Sequence, residues 1–464
     1  MQNYIDELNF QKTVSLFVQA ACMAVAICVF FNVNVLLGQD SEQPKAQSKT
    51  DWPGFLGPNR DSRSPETGIL TDWSGGKLKT VWEAEVGLGY VIGSVSEGRF
   101  FQFDAVDQTC RVICRDAKSG KVLWTHAYEF KYKDLYGFDN GPRATPLVDN
   151  GKVYTFGVAG TINCLDAESG DLIWKSETNE QFSVVQNFFG VGSSPLIVGN
   201  YLLVMVGGSP KEDLKKNGKG VDGVSPNGTA IVVFDKMSGK VVRKFGDDLA
   251  SYSSLQTYEK GGKRFGVAWL RENLIGFDFE AGKVMWSFPY RARRYETVNA
   301  STPVVDGTKI FVSESYGPGS LLLDVGGDQP EVIWRDTNPR NRALALHWNT
   351  PVLHDGFLYA SHGEGARAEL RCVEFATGEV KWKQKGYGRA SITLVDNKLV
   401  VLDEQGKLLL LNANPEKFEL VTNYQAAGNN GLPLTKPCWS APVIADGMLY
   451  VRGKEKILCL KLIP

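Results

Sequence analysis

Apolar residues in this chain come in short runs separated by polar, glycine-bearing turns, and the whole arrangement recurs. Each recurrence has two parts. The first is a Pro-containing strand, a Gly and a second apolar strand, as in Ala144-Thr-Pro-Leu-Val148 before Val153-Tyr-Thr-Phe156. Ser301-Thr-Pro-Val-Val305 before Ile310-Phe-Val312 repeats it. The second part is an apolar strand, a turn on Ser/Thr/Ala-Gly, and a Trp four residues after the Gly. Asp116-Ala-Lys-Ser-Gly-Lys-Val-Leu-Trp124, Asp166-Ala-Glu-Ser-Gly-Asp-Leu-Ile-Trp174 and Glu374-Phe-Ala-Thr-Gly-Glu-Val-Lys-Trp382 are its clearest copies. Runs this short, bounded by turn residues, read as strands. Four short strands at a period near 40–50 residues predict an all-β fold, a β-propeller of four-stranded antiparallel blades.

The repeats begin near Gly93, Arg143, Gly192, Tyr252, Ala300, Asn349, Arg389 and Trp439, which makes eight blades. Closing tryptophans stand at Trp124, Trp174, Trp286, Trp334 and Trp382; Arg243 holds the place in the third repeat and the seventh has none. The eighth repeat stops at Leu460-Lys-Leu-Ile-Pro464, short of its outer strand, while Thr80-Val-Trp-Glu-Ala84 precedes the first repeat with no partner of its own. This N-terminal strand is expected to complete the last blade, leaving no open sheet edge. The Gly of each turn suits a hairpin residue at positive φ, and the Trp after it is expected to pack between neighbouring blades.

Composition narrows the function classes. With 51 basic and 52 acidic residues the net charge is −1, and clustered positive charge of the kind that grips nucleic acid is absent. Cys114, Cys164, Cys372 and Cys459 occupy one equivalent place on different blades, too far apart for disulfides, and are expected as small buried apolar residues. Whether Cys110 and Cys438 meet is open. After a flank of residues 1–13, residues 14–38 are nearly all apolar, which predicts an N-terminal hydrophobic helix acting as signal anchor or signal peptide. Residues 39–50 form a polar linker, and residues 51–464 the propeller. The chain is therefore expected in the cell envelope, membrane-tethered or periplasmic after cleavage.

A site can be placed by topology. The residues leading into each first, innermost strand rim the central channel, on the face shared with the loops between strands two and three. That puts Arg143, Asn299, His347, Trp348, Arg389 and Trp439 around one opening, with two cations and aromatic planes suited to an anionic or planar ligand. The Gly-rich insert Gly207 to Gly228 belongs to the same face. The four histidines form no metal triad, since His354 falls on the face opposite His347, and no phosphate-binding glycine motif is present.

The Asp-Ala-x-Ser-Gly-x-x-x-Trp phrases resemble the pyrroloquinoline-quinone (PQQ)-like repeat family, which includes eight-bladed quinoprotein dehydrogenases and the propeller subunit of the outer-membrane β-barrel assembly machinery. Trp52-Pro-Gly-Phe-Leu-Gly-Pro-Asn-Arg60, with Gly141-Pro-Arg-Ala-Thr-Pro146, is similar to exported PQQ-like repeat proteins of planctomycete-type bacteria. The resemblance implies PQQ as a cofactor only where a vicinal Cys-Cys disulfide, a Trp and an acidic calcium cluster accompany it. This sequence has no adjacent Cys pair, no acidic cluster placed at the rim and no haem-attachment motif. The expectation is a non-catalytic binding or scaffold module with a protein or small ligand at the channel face. A divergent PQQ-dependent oxidoreductase, acting on alcohol or polyvinyl alcohol, is the alternative.

Overall fold

The computed structural model describes residues 50–184, 188–216, 224–294 and 297–464. They build eight four-stranded antiparallel sheets. Blade 1 runs outward through Ser94–Ser96, Arg99–Val106, Thr109–Asp116 and Val122–Glu129. The other innermost strands are Leu147–Asp149, Leu196–Val198, Gln256–Lys260, Val304–Asp306, Val352–His354, Ala390–Val395 and Val443–Ala445, so every predicted repeat start is met. Residues 14–38 and the linker up to residue 49 lie outside the described residues. No helix of the described residues is long and apolar enough to cross a membrane.

Ring closure follows the expected route. Thr80–Glu85 pairs antiparallel with Lys456–Lys461, Trp82 standing opposite Cys459. On the inner side Arg452 fastens the same seam, donating to the carbonyls of Gly87 (3.0 Å), Gly89 (2.5 Å) and Val91. The seam thus has an outer ladder and an inner cation-to-carbonyl clasp.

The tryptophans have a shared geometry that explains the repeat phrase. In all eight blades the pairing of the third and fourth strands slips by one residue beside the Trp position, as between Cys114 and Arg115 or Cys372 and Val373. A bulge of this kind raises local twist and re-aims a side chain. Five of the rings then reach the turn of the following blade, whereas Trp286 donates to the Tyr258 hydroxyl of its own blade. Trp82, Trp124, Trp174 and Trp334 donate their indole N–H to the carbonyls of Ala117, Ala167, Lys236 and Phe375. Beneath those rings lie Gly120, Gly170, Gly239 and Gly378, all at positive φ, where any Cβ would fall within 2.7 Å of ring carbons. The glycine serves both the turn and the ring above it.

The equivalent cysteines are the small centre of an aromatic sandwich. Cys164 lies between Tyr154 and Trp174, whose rings are 6.1 Å apart; Cys372 and Cys459 sit likewise between Tyr359 and Trp382 and between Tyr450 and Trp82. The six described cysteines are free thiols, and Cys110 and Cys438 belong to separate hydrophobic clusters. Burial pushes all six thiols up to about 12, which keeps them protonated and inert.

Two further devices join the blades near the axis. A hydroxyl ladder links blades 2 to 6: the N–H groups of Thr145, Ser194, Ser254 and Thr302 donate in turn to the side chains of Ser194, Ser254, Thr302 and Thr350. The second device has no counterpart in the sequence pattern. Residues 51–70 form a strap along the channel, using backbone groups that innermost strands otherwise leave unpaired. Trp52 pairs with Val95, Pro53 accepts from Val148, and Ser62 and Ser64 bracket Leu394. Glu66 accepts from Gly447 and Leu70 donates to Leu462. Trp73, 1% exposed, then fills the seam between blades 7 and 8, where the seventh repeat lacks its own Trp.

Candidate functional site

Seven of the eight blades bring a ring or a guanidinium to the mouth on the face predicted from topology. Arg143 is half-buried and held by Asp134 Oδ2 (2.9 Å) and the carbonyls of Asp139 and Gly141. Its guanidinium carbon stands 5.5 Å from the Tyr90 ring centre and 5.8 Å from that of Phe189. Arg389 donates through Nε and Nη2 to Glu404 Oε2, at 3.1 and 2.8 Å. It lies 4.5 Å from the Trp348 ring centre and 5.2 Å from that of Trp439. Trp348 and Trp439 approach to 4.5 Å, and Tyr90 adjoins Trp439 at 5.0 Å. Phe189 meets Tyr252 at 5.6 Å, and its backbone N–H donates to the Tyr252 hydroxyl.

The result is a curved platform running Trp348, Arg389, Trp439, Tyr90, Arg143, Phe189, Tyr252. It brings together four of the six residues singled out from the sequence. His347 extends it, 5.6 Å from Trp348 and 5.2 Å from Tyr316, but is buried, and that burial holds its imidazole below the ordinary range. Its Nε2 lies 2.9 Å from Glu364, a close approach rather than an aligned hydrogen bond. Asn299 is 1% exposed and sits beneath the surface, its amide donating to the carbonyls of Leu270 and Arg271. It shapes a loop there at a φ of 43°.

Tyr90 and Phe189 are rim residues that the repeat pattern does not flag. Tyr90 occupies the blade 1 position equivalent to Arg143, but its lead-in, Gly89-Tyr-Val-Ile92, lacks the Pro that marks five of the other copies. Register counting back from the first strand would have found it.

Charge at the mouth is largely cancelled within the chain. Burial alone would raise Glu404, yet the hydrogen bonds and field of Arg389 bring its carboxyl below the usual range. Both arginines aim N–H groups at the chain's own oxygens, so they offer the mouth chiefly their flat faces. Burial raises the Tyr90 phenol to about 12, keeping it neutral. Beyond Phe189 the platform continues onto the surface: Phe138 (71% exposed) and Tyr136 lie 6.2 and 5.9 Å from the Phe189 ring, with exposed Leu135 beside them in the chain.

The residues present do not fit the quinone site of the dehydrogenases. No two cysteines are adjacent in the sequence, and among the described residues no group of three His, Cys, Asp or Glu could hold a metal ion. Asp134 and Glu404 are already committed to arginines. The mouth presents flat apolar and cationic faces. A separate cleft of about 450 Å³ opens on the opposite face between blades 3 and 4, lined by Tyr201, Lys263, Arg264 and Phe279 among others.

Comparison with known proteins agrees with this architecture. The PQQ-like repeat family described as outer membrane protein assembly factor BamB matches residues 75–244, 110–384 and 260–418. Outer membrane protein assembly factor BamB of Alkalilimnicola ehrlichii is 28% identical over 166 residues, 34% of this chain and 39% of that protein. Uncharacterized protein RP232 of Rickettsia prowazekii is 21% identical over 292 residues, 61% of this chain and 63% of that protein. Both matches span less than two thirds of the relative's own length. Among solved structures, a europium-containing methanol dehydrogenase is 11% identical, covers 89% of this chain and 98% of its own, and has a TM-score of 0.65. At that identity the likeness concerns fold alone.

Proposed function

Because this chain belongs to the PQQ-like repeat family described as outer membrane protein assembly factor BamB, we propose that it is a non-catalytic binding module of the cell envelope that takes a protein segment on the face bearing the mouth. The observation that carries this reading is the continuity of the platform. Half-exposed rings run from Trp348 through Tyr90 to Phe189 and pass without a break into the exposed Tyr136 and Phe138. Contiguous exposed aromatic surface of this kind marks interaction sites, and aromatic and Arg side chains dominate the energetics of protein interfaces. Internal pairing of Arg143 and Arg389 also argues against a free anion as the main ligand, since the partner would have to displace Asp134 or Glu404. Envelope placement is supported by the name of the A. ehrlichii relative and by the apolar stretch at residues 14–38.

A photo-crosslinking residue placed at Phe138 or Trp439, and as a control at Asp355 on the opposite face, tests the proposal in the native envelope. Discrete protein adducts from the first two positions alone are expected. No adducts, or the same adducts from Asp355, would refute it. Dye-linked alcohol oxidation by purified protein given PQQ and Ca²⁺ would replace it with the oxidoreductase reading.

A further inference from the structure

The strap carries a cation into the channel with no acid to meet it. Arg60 is buried, 8% exposed, yet its guanidinium donates only to neutral carbonyls: Nε to Leu255 (3.1 Å), Nη1 to Pro195 (2.9 Å) and Nη2 to Ser194 (3.3 Å). Among the described residues no carboxylate lies within ion-pair distance of it. A guanidinium has five N–H donors, so these three bonds leave two to be met. Ser193, next to the Ser194 acceptor, is 2% exposed, and its hydroxyl has no hydrogen-bond partner among the described residues.

Arg452 supplies an internal comparison. It too is buried and clasped by three carbonyls, and burial lowers both arginines to about 10, leaving each charged at neutral pH. Asp104 and Asp139 act on Arg452 and offset part of its burial, whereas no acid acts on Arg60. Asp104 even shares Gly87 with it, accepting the N–H of the residue whose carbonyl Arg452 holds. Carbonyls satisfy donors, but they do not cancel a net charge. A buried cation without a counter-charge is costly, and a site with donors left over and no acceptor takes an acceptor from outside.

We infer that the channel beside Arg60 binds a small inorganic anion of halide type, held by the remaining guanidinium N–H donors and the Ser193 hydroxyl. This site is distinct from the mouth platform, whose arginines have their own carboxylates. Bromide is the probe. Crystals of the full chain grown in sodium bromide should show an anomalous scattering peak in contact with the Arg60 guanidinium. In solution, bromide at ten times its dissociation constant should raise the folded-to-unfolded ratio roughly tenfold relative to gluconate at equal ionic strength. R60M should lose that response. A bromide-grown crystal without a peak at Arg60, or an R60M response equal to that of the parent chain, overturns the inference. Should R60M not fold, the diffraction measurement on the unaltered chain still decides.

Discussion

Trp82 pairs across the closing seam with Cys459 and at the same time donates its indole N–H to Ala117 of the first blade, 2.9 Å away. One residue therefore completes blade 8 and caps blade 1. Its ring is 5% exposed and meets Phe100 and Tyr450 at 5.6 and 5.8 Å. Trp82→Ala should cost about 3–5 kcal/mol, as large aromatic truncations in cores do. Urea unfolding of the variant and the parent chain checks this; a loss below about 1 kcal/mol would mean the seam is held elsewhere.

The Gly170 turn yields a second expectation. Its φ is +79°, and a Cβ there would stand 2.6 Å from Trp124 ring carbons. Gly170→Ala meets both the left-handed backbone penalty of about 1–2 kcal/mol and a steric clash. Gly151, also at positive φ but with open space around it, should show the backbone term alone. Comparing the two alanine variants by thermal unfolding separates the contributions, with Gly170→Ala the more harmful.

At the mouth, Glu404→Ala should matter more for recognition than for folding. Arg389 would lose both its hydrogen bonds to Oε2 and the Trp348–Arg389–Trp439 stack would slacken. Crosslinking yield from Phe138 is expected to fall about tenfold, the equivalent of roughly 1.4 kcal/mol. Tryptophan fluorescence should report the altered stack while the melting temperature moves little.

Acid response at the strap has a definite sign. Burial is the main cause raising both Asp51 and Glu66, and the charge of Asp446 adds to each. Their folded pKa values lie above the unfolded ones, so the folded state binds more protons. Their contribution to stability is then fully present below the unfolded carboxyl range, about 4, and declines as pH rises through the raised values. Comparing Asp51→Asn/Glu66→Gln with the parent chain by urea midpoints from pH 4 to pH 7 isolates these two groups. The variant should lack this part of the decline. Parallel curves would exclude the strap as its source.

Legibility differed sharply between features. Blade number and ring closure could be read because each rests on neighbours in sequence: a turn glycine, the Trp four residues on, a Pro ahead of the strand. Four of the six rim residues came together for the same reason, each lying just ahead of an inner strand. The strap gave no such signal. Trp52 pairs with Val95 and Ser62 with Leu394, partners fixed only once eight inner edges surround one axis. Arg60 read as part of a motif, and nothing local to it indicated carbonyls at residues 194, 195 and 255. Asn299 and His347 hold the expected place along the chain, but register alone does not tell a side chain that lies open from one turned under a loop.

Arg243 has a consequence for how the ring breathes. It stands at the Trp position between blades 3 and 4, with its aliphatic stem over Gly282 and its charge over Tyr201. The cleft lined by Tyr201 and Phe279 opens at that junction. An Arg stem with one buried nitrogen lacking a hydrogen-bond partner among the described residues grips less firmly than an indole, so this joint should be the soft sector of the wheel. Amide hydrogens along Val241–Phe245 should accordingly be the first of the outer strands to trade with solvent.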